Sequence, residues 1–343
     1  MIFPTVKVAA VQAAPVFLNL KASVDKACEL IDEAGRNGAQ LIDFPEAFLP
    51  GYPWWIWMGA PSFGHKFLMK LHQNALTYGS SEMRQISEAA RRNNIFVCIS
   101  ATEADGTTLY LTQFWFDNKG NLMGKHRKMS PPGCEKIVWA CGNGSTMQVF
   151  DTKIGKIGGL QCGEHLNPMN ISCLLGQGEQ IHCAGWPPMH TPREGQMPLF
   201  SPLDMSRTAT RYAAMGLRAF ALYATQMMAQ DVIDMLCDGT GHPEYIEFLP
   251  NGVDGTLGGG HAAVFNVAGD CISNSLPHDV EGCVYAECNL METLGRRLVM
   301  DPLDKDARPF ALRMTLDRTD YKAMNFEGVQ PDNSVSYESI QNL

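Results

Sequence analysis

The chain has 343 residues, 45% of them hydrophobic and 18% charged, a balance that excludes disordered and coiled-coil classes and suits one large α/β domain or two closely packed halves. A net charge of -9, with no basic cluster beyond the KHRK of residues 125–128, argues against nucleic acid as a partner. No apolar run approaches the ~18 residues of a membrane span and the N-terminal MIFPTVKVAAVQAAP lacks the pattern of a secretory signal, so the expectation is a cytoplasmic protein with no membrane attachment.

In chain order, VKVAAVQAA (6–14) reads as a strand and is followed by a helix, in which Val24, Ala27, Cys28 and Ile31 recur at helical spacing. The apolar run AQLIDFPEAF (39–48) comes next, then a helix over 81–94 with Ser81 as its cap, then the strand IFVCISATE (95–103). LYLTQFWFD and NLMGKHRK flank Asn118-Lys119-Gly120 and read as an antiparallel hairpin, because the glycine supplies a positive φ. MQVFDT and IGKIGGLQC repeat the hairpin, and the alternation resumes with a helix around 168–177, the strand QIHCAGW (180–186), a helix around 203–218 and the strand FALYATQ (220–226). A last hairpin joins HAAVFNVAGD to GCVYAECN. This order predicts two similar halves, each a mixed sheet covered by helices on one face, packed sheet to sheet as a four-layer αββα sandwich. The expected domain spans residues 1–318, with 319–343 a polar tail.

Eleven cysteines are scattered from Cys28 to Cys288 without a CxxC pair, so neither a disulfide framework nor a zinc ligand spacing is readable. The default for each is a reduced, buried, small apolar side chain. Cys162, in GGLQCGEHLNPM (158–169), sits at a strand end before a helix start, where unpaired N–H groups favour an anion. Gly163 behind it leaves its N–H open as an oxyanion donor. A thiol nucleophile needs a base and a charge partner. Glu46 follows a proline at the end of the 39–48 run, Lys128 ends a hairpin strand, and Glu135 lies beyond a Pro-Pro-Gly turn. Taken singly, these acids and this lysine read equally as a surface loop and a solvated charge cluster.

The conjunction of FPEAFLPGYP (44–53), HRK (126–128) with EKIVW (135–139), and QCGEHLNP (161–168) resembles the nitrilase family of the carbon-nitrogen hydrolase superfamily, over residues 6 to about 310. The resemblance implies an αββα sandwich with a pseudo-twofold. It implies Glu46 as general base, Lys128 as catalytic lysine, Cys162 as nucleophile and Glu135 as a supporting glutamate. Glu164 matches an acid often found beside the nucleophile. The implied activity is hydrolysis of an organic nitrile, aryl-aliphatic or aliphatic, to carboxylic acid and ammonia, with water as co-substrate, no cofactor and no metal. Rival readings are an amidase or an amide-forming hydratase-type lyase on the same triad and, from another class, an idle interaction scaffold. The family resemblance also implies a homodimer that extends to a larger homo-oligomer. Departures are Gly163 where many relatives carry tryptophan, ACGNG at 140–144, and DKDARPF at 304–310, which keeps only an Arg-Pro.

His165 is read as hydrogen-bonded or substrate-adjacent rather than as a cysteine-histidine dyad, since neighbouring residues at a helix start point apart. GYPWWIWMG (51–59), with Tyr52 and Trp57, and Trp186 are candidates to line a pocket, the alternatives being a subunit contact and plain core. Lys128 and the helix N-terminus are expected to raise the thiolate fraction of Cys162 above that of a free cysteine.

Overall fold

The computed structural model describes residues 2–189, 203–249, 257–321, 328 and 334–341. The first half comprises β1 (Thr5–Ala13), α1 (Leu20–Arg36), β2 (Leu41–Asp43), α2 (Pro61–Gln73), α3 (Ser81–Arg92), β3 (Phe96–Asp105), β4 (Thr108–Phe116) and β5 (Leu122–Arg127). The second comprises β6 (Phe150–Thr152), β7 (Gly155–Gln161), α4 (Pro168–Gly176), β8 (Ile181–Trp186), α5 (Leu203–Leu217), β9 (Phe220–Gln226), α6 (Gln230–Leu236), β10 (Ala263–Phe265), β11 (Gly282–Asn289) and α7 (Met291–Val299), followed by an exposed turn of helix, α8 (Tyr337–Gln341).

The strands are apolar on both faces because both faces are covered. On β1, Val6, Val8 and Ala10 join Leu41, Phe96, Trp115, Ile157, Ile181 and Leu222 in a cluster drawn from both halves. The alternate residues Ala9, Val11 and Ala13 pack against Val24, Ala27 and Ile31 of α1 and Ile86, Ala89 and Ala90 of α3. Period-two alternation thus feeds two cores from one strand. On the far side, Ile171, Leu174 and Leu175 of α4 meet Ala213 and Leu217 of α5. The layers run helix, sheet, sheet, helix, as expected from the element order.

The strand order is β5-β4-β3-β2-β1-β9-β8-β7-β6. β1 and β9 run parallel but meet only at Gln12↔Thr225 and Ala13↔Gln226. This short seam joins the half-sheets and gathers the C-terminal strand ends, where ligands bind in open α/β sheets. The expected last hairpin is not formed: β11 pairs with β1 along Thr5–Gln12, and β10 pairs with β9. The physical reason is the seam itself, since β1 and β9 leave each other after two residue pairs and each leaves an edge to be covered.

The β4–β5 hairpin turns at Gly120 with φ 86, as its composition predicts, and Asp117 Oδ1 accepts from the amides of Lys119 and Asn121 at 2.8 Å. The cap of α3 is Ser80, one residue before the expected Ser81; its hydroxyl accepts from the Met83 amide. α2 and α6 were not foreseen. α2 has Pro61 in its first turn and buries Gly64, Phe67 and Leu71 at helical spacing, a signal masked by the aromatic run before it. Arg318 and Asp320 hydrogen-bond back to Gln177 and Asn143, so the start of the predicted tail touches the second half.

Candidate active site

KHRK at 125–128 is read by the period of its strand. Arg127 makes two 2.8 Å bonds to the Glu103 carboxylate, and Lys125 pairs with the same acid, on one face. His126 and Lys128 point the other way and are buried. Lys128 extends the ladder past the end of β5, its amide donating to Leu111 O at 2.8 Å. Its ammonium lies 2.6 Å from Glu46 Oε1 and 2.8 Å from Glu135 Oε2.

Glu46 follows β2, on a loop pinned by the Ser100 hydroxyl, which accepts from the Ala47 amide at 2.9 Å, and by Gln226 of β9, whose side chain donates to Glu46 O. Glu135 is set by the 3-10 turn Gly133–Ile137, and its second oxygen accepts from Tyr52 Oη at 2.9 Å. One ammonium thus faces two buried carboxylates, and Glu46 Oε2 has no hydrogen-bond partner. Burial pushes the Glu46 carboxyl up to about 8, the Glu135 charge adds to this and Lys128 opposes it. Burial alone would lower Lys128, but Glu135 and Glu46 outweigh it and hold the ammonium well above its usual range.

Cys162 directly follows β7 with a φ of 45, a left-handed backbone that a non-glycine residue takes at a cost of about 1 kcal/mol or more. The turn Cys162–Leu166 is held by Glu164, which accepts from the Gln161 amide at 3.0 Å and the Met129 amide at 2.9 Å and lies 3.1 Å from His126 Nε2. Burial works against the Glu164 charge, but His126 and the Met129 amide keep it below the usual carboxylate range. Glu164 therefore fastens the Cys162 turn to the end of β5, beside Lys128.

The expected rise in thiolate is not what the structure shows. Burial pushes the Cys162 thiol well up and Glu46 pushes it further, against smaller opposing effects of Lys128 and the Gly163 amide. Nothing local offsets that burial: Cys162 opens a single 3-10 turn, and α4 begins only at Pro168, capped by Asn167. No long helix dipole reaches the sulfur. Cys162 rests as a neutral thiol beside a carboxyl of raised pKa.

Tyr52 is buried on Trp139 and Trp54 and serves Glu135. Trp57 is half-buried against the Pro-Pro-Gly turn, its Cη2 lying 3.5 Å from where a Cβ on Gly133 would be. Trp186 is fully buried in the cluster that holds Cys162 and stacks on His165. Both ring nitrogens of His165 are engaged away from the thiol, with Cys162 O and with His182. A cavity of about 500 Å³ lined by His165, Leu166, Met205, Thr208 and Tyr212 lies on the α5 side of this turn.

Among the described residues, the group whose ligand atoms converge as a metal site would require is Asp43, Cys98 and Cys183, all within 4.8 Å of one another. Burial raises Asp43, takes Cys98 to about 12 and raises Cys183, so all three rest protonated and neutral between the sheets. A neutral acid and two thiols hold no cation until they lose protons.

The family model described as carbon-nitrogen hydrolase matches residues 7–295. The chain belongs to the carbon-nitrogen hydrolase family. It is 40% identical over 339 residues to the nitrilase of Bacillus sp. (strain OxB-1), a match covering 99% of this chain and 96% of that protein. It is 34% identical over 324 residues to an aliphatic nitrilase of Rhodococcus rhodochrous, covering 94% and 82%. The NitFhit protein of C. elegans shares the fold, with a TM-score of 0.67 at 16% identity over 91% of this chain and 67% of that one.

Within this carbon-nitrogen hydrolase, Gly163 has room for a side chain. Its φ lies outside the left-handed region, and a Cβ there meets nothing within 4 Å. Gly163→Trp is expected to fold with a melting temperature within about 3 °C of the parent. It should lower kcat/KM for bulky branched substrates about tenfold more than for short linear ones. Equal losses for both classes would show that the indole does not reach the acyl site.

Sequence reasoning missed His126, Glu179, His182 and Gln226. For His126 the signal was present, since period two puts it on the face of Lys128. Glu179 and His182 read as ordinary residues entering a strand, and only the fold brings them to the Cys162 turn.

Proposed function

We propose that this chain is a nitrilase, converting an aliphatic or aryl-aliphatic nitrile and two waters to a carboxylic acid and ammonia. The observation that carries the reading is an ammonium clamped at 2.6 and 2.8 Å between two buried carboxylates, beside a buried thiol on a strained turn. The near-full-length likeness to proteins named nitrilase supports it.

In this reading Cys162 is the nucleophile and Glu46 the general base. As sulfur attacks the nitrile carbon, the thiol proton passes to Glu46, and Glu46 returns it to the nitrile nitrogen, leaving a thioimidate. A first water then adds to that carbon and both of its protons pass through Glu46 to nitrogen, the second as the carbonyl of the thioester forms and ammonia leaves. A second water cleaves the thioester and restores the thiol. Lys128 and the Gly163 N–H stabilise the charge that develops at the tetrahedral steps, and Glu135, held by Tyr52, positions Lys128.

Because Glu46 must be ionised to accept the first proton, kcat/KM is expected to rise with pH with its midpoint near pH 8, the raised value of its carboxyl, and to level off above that. The limb reports Glu46 in contact with Lys128, not an isolated carboxyl. A limb at about pH 4–5, where an ordinary carboxylate titrates, would contradict this assignment.

A panel of matched nitriles and amides, read for ammonia and for amide, tests the activity: ammonia from nitriles with little amide supports the nitrilase, whereas turnover of amides alone supports the amidase reading. A cytoplasmic setting is supported by eleven free cysteines. No helix among the described residues is long and apolar enough to cross a membrane. Exposed Leu166, Met169, Tyr212 and Met215 around α4 and α5 and exposed Leu298 and Val299 on α7 support a homo-oligomer. The domain is taken to run to about residue 318, and substrate and water are taken as its partners, without nucleic acid or membrane.

A further inference from the structure

Behind the nucleophile turn lies a chain of three buried titratable groups that the mechanism above does not use. His165 Nδ1 lies 2.7 Å from Cys162 O, His165 Nε2 lies 2.9 Å from His182 Nε2, and His182 Nδ1 lies 3.0 Å from Glu179 Oε1. All three residues are fully buried.

Elementary hydrogen-bond chemistry assigns the protons. A carbonyl oxygen only accepts, so His165 Nδ1 carries a hydrogen. Burial and the neighbouring His182 hold His165 neutral, its pKa taken down to about 3, so its Nε2 is bare and accepts. His182 Nε2 therefore donates, and His182 Nδ1 shares one further proton with Glu179. The direction of both bonds from His182 to Cys162 O follows. The room for this chain is built in. A side chain on Gly158 would come within 2.6 Å of Glu179 Oε1. The His165 ring is stacked at 24° on Trp186, which is fixed in turn by a 3.0 Å bond from its Nε1 to Thr210 Oγ1.

The carbonyl at the end of this chain belongs to the same peptide group as the Gly163 N–H. A hydrogen bond onto the oxygen of a peptide polarises it, strengthens its N–H as a donor and fixes the plane in which that N–H points. This plane needs fixing, because it follows a residue with a φ of 45. We propose that Glu179, His182 and His165 form a buried positioning chain that holds the Cys162–Gly163 peptide with its N–H turned to the reacting carbon. The proposal rests on Cys162 being the nucleophile. None of the three touches substrate; they are positioning residues, acting through one backbone amide.

Two substitutions of one residue separate this role from packing. In His165→Asn the side-chain amide takes the place of Nδ1–H and keeps the bond to Cys162 O. In His165→Gln the amide reaches the place of Nε2, keeping His182 and losing Cys162 O. The expected result is kcat within about fivefold of the parent for His165→Asn, and kcat lowered about 10- to 100-fold for His165→Gln, with KM within about threefold in both, since a weakened oxyanion donor acts in the transition state. If His165→Gln does not fold, His165→Leu, similar in volume and without a hydrogen-bond donor, carries the test with about a tenfold loss of kcat at unchanged KM. Equal kcat losses in the Asn and Gln variants, or a loss confined to KM, would overturn the positioning chain. Cys162→Ala measured alongside keeps the two readings apart: its turnover would remove the nucleophile, whereas an inert Cys162→Ala beside a fully active His165→Gln would remove only the chain.

Discussion

Cys162→Ala is expected to lower nitrile turnover by at least about 10⁴-fold, the scale on which covalent catalysis collapses when its nucleophile is removed. The fold should survive, for reasons specific to this site. The thiol is neutral and buried in an apolar cluster with Ala184, Trp186, Met189 and Tyr223, so no charge is orphaned when it goes. Losing one sulfur from such a cluster costs about 1 kcal/mol. Alanine also keeps the strain of a φ of 45, so the turn is neither relieved nor rearranged. Ammonia release, thermal melting and mass detection of a covalent adduct on the parent protein check the three parts of this expectation. Retained turnover in a folded Cys162→Ala protein would sink the assignment of the nucleophile.

The parts of this site that were legible in the chain are those that sit at the ends of apolar runs. Glu46, Lys128 and Cys162 each follow a strand that its own composition predicts, and their flanking residues match one family's motifs. What was not legible depends on surroundings contributed from elsewhere in the chain. Cys162 looked like the start of a helix, which favours thiolate, but Asn167-Pro168 starts a separate helix five residues on. The same dipeptide was in view and is a cap followed by a first-turn proline. Its desolvation, which decides the protonation state, arises from the packing of β7, β8 and β9 and has no local signature. Strand pairing failed for a similar reason. HAAVFNVAGD and GCVYAECN read as a hairpin because they are adjacent, whereas β10 and β11 pair with the diverging edges of β9 and β1. The two half-sheets were legible from element order, but the seam that joins them, two residue pairs long, was not.

Lys128→Met carries the largest expected loss of stability. The parent site holds one ammonium between Glu46 and Glu135, none of whose side chains is more than 3% exposed. Methionine fills the stem but removes the charge, leaving two buried carboxyls without a cation. Breaking a buried ion pair by removing one partner costs about 3–5 kcal/mol, because the remaining charge cannot be solvated. The loss should depend on pH, and its sign follows from the carboxyls. In the parent, burial already raises Glu46 to about 8, above its unfolded value, so the folded chain binds the extra proton and stability falls as pH rises through about 8. Without Lys128 to oppose it, the raised value moves further up. The variant is therefore closest to the parent in acid, where the Glu46 carboxyl is protonated, and furthest from it at about pH 8 and above. Denaturant melts across this range measure the difference. Adding Glu46→Gln to Lys128→Met should regain most of the lost stability and none of the lost activity, since an amide needs no counterion and accepts no proton. A Lys128→Met protein as stable as the parent at pH 8 would show that the ammonium is not what holds these two carboxylates together.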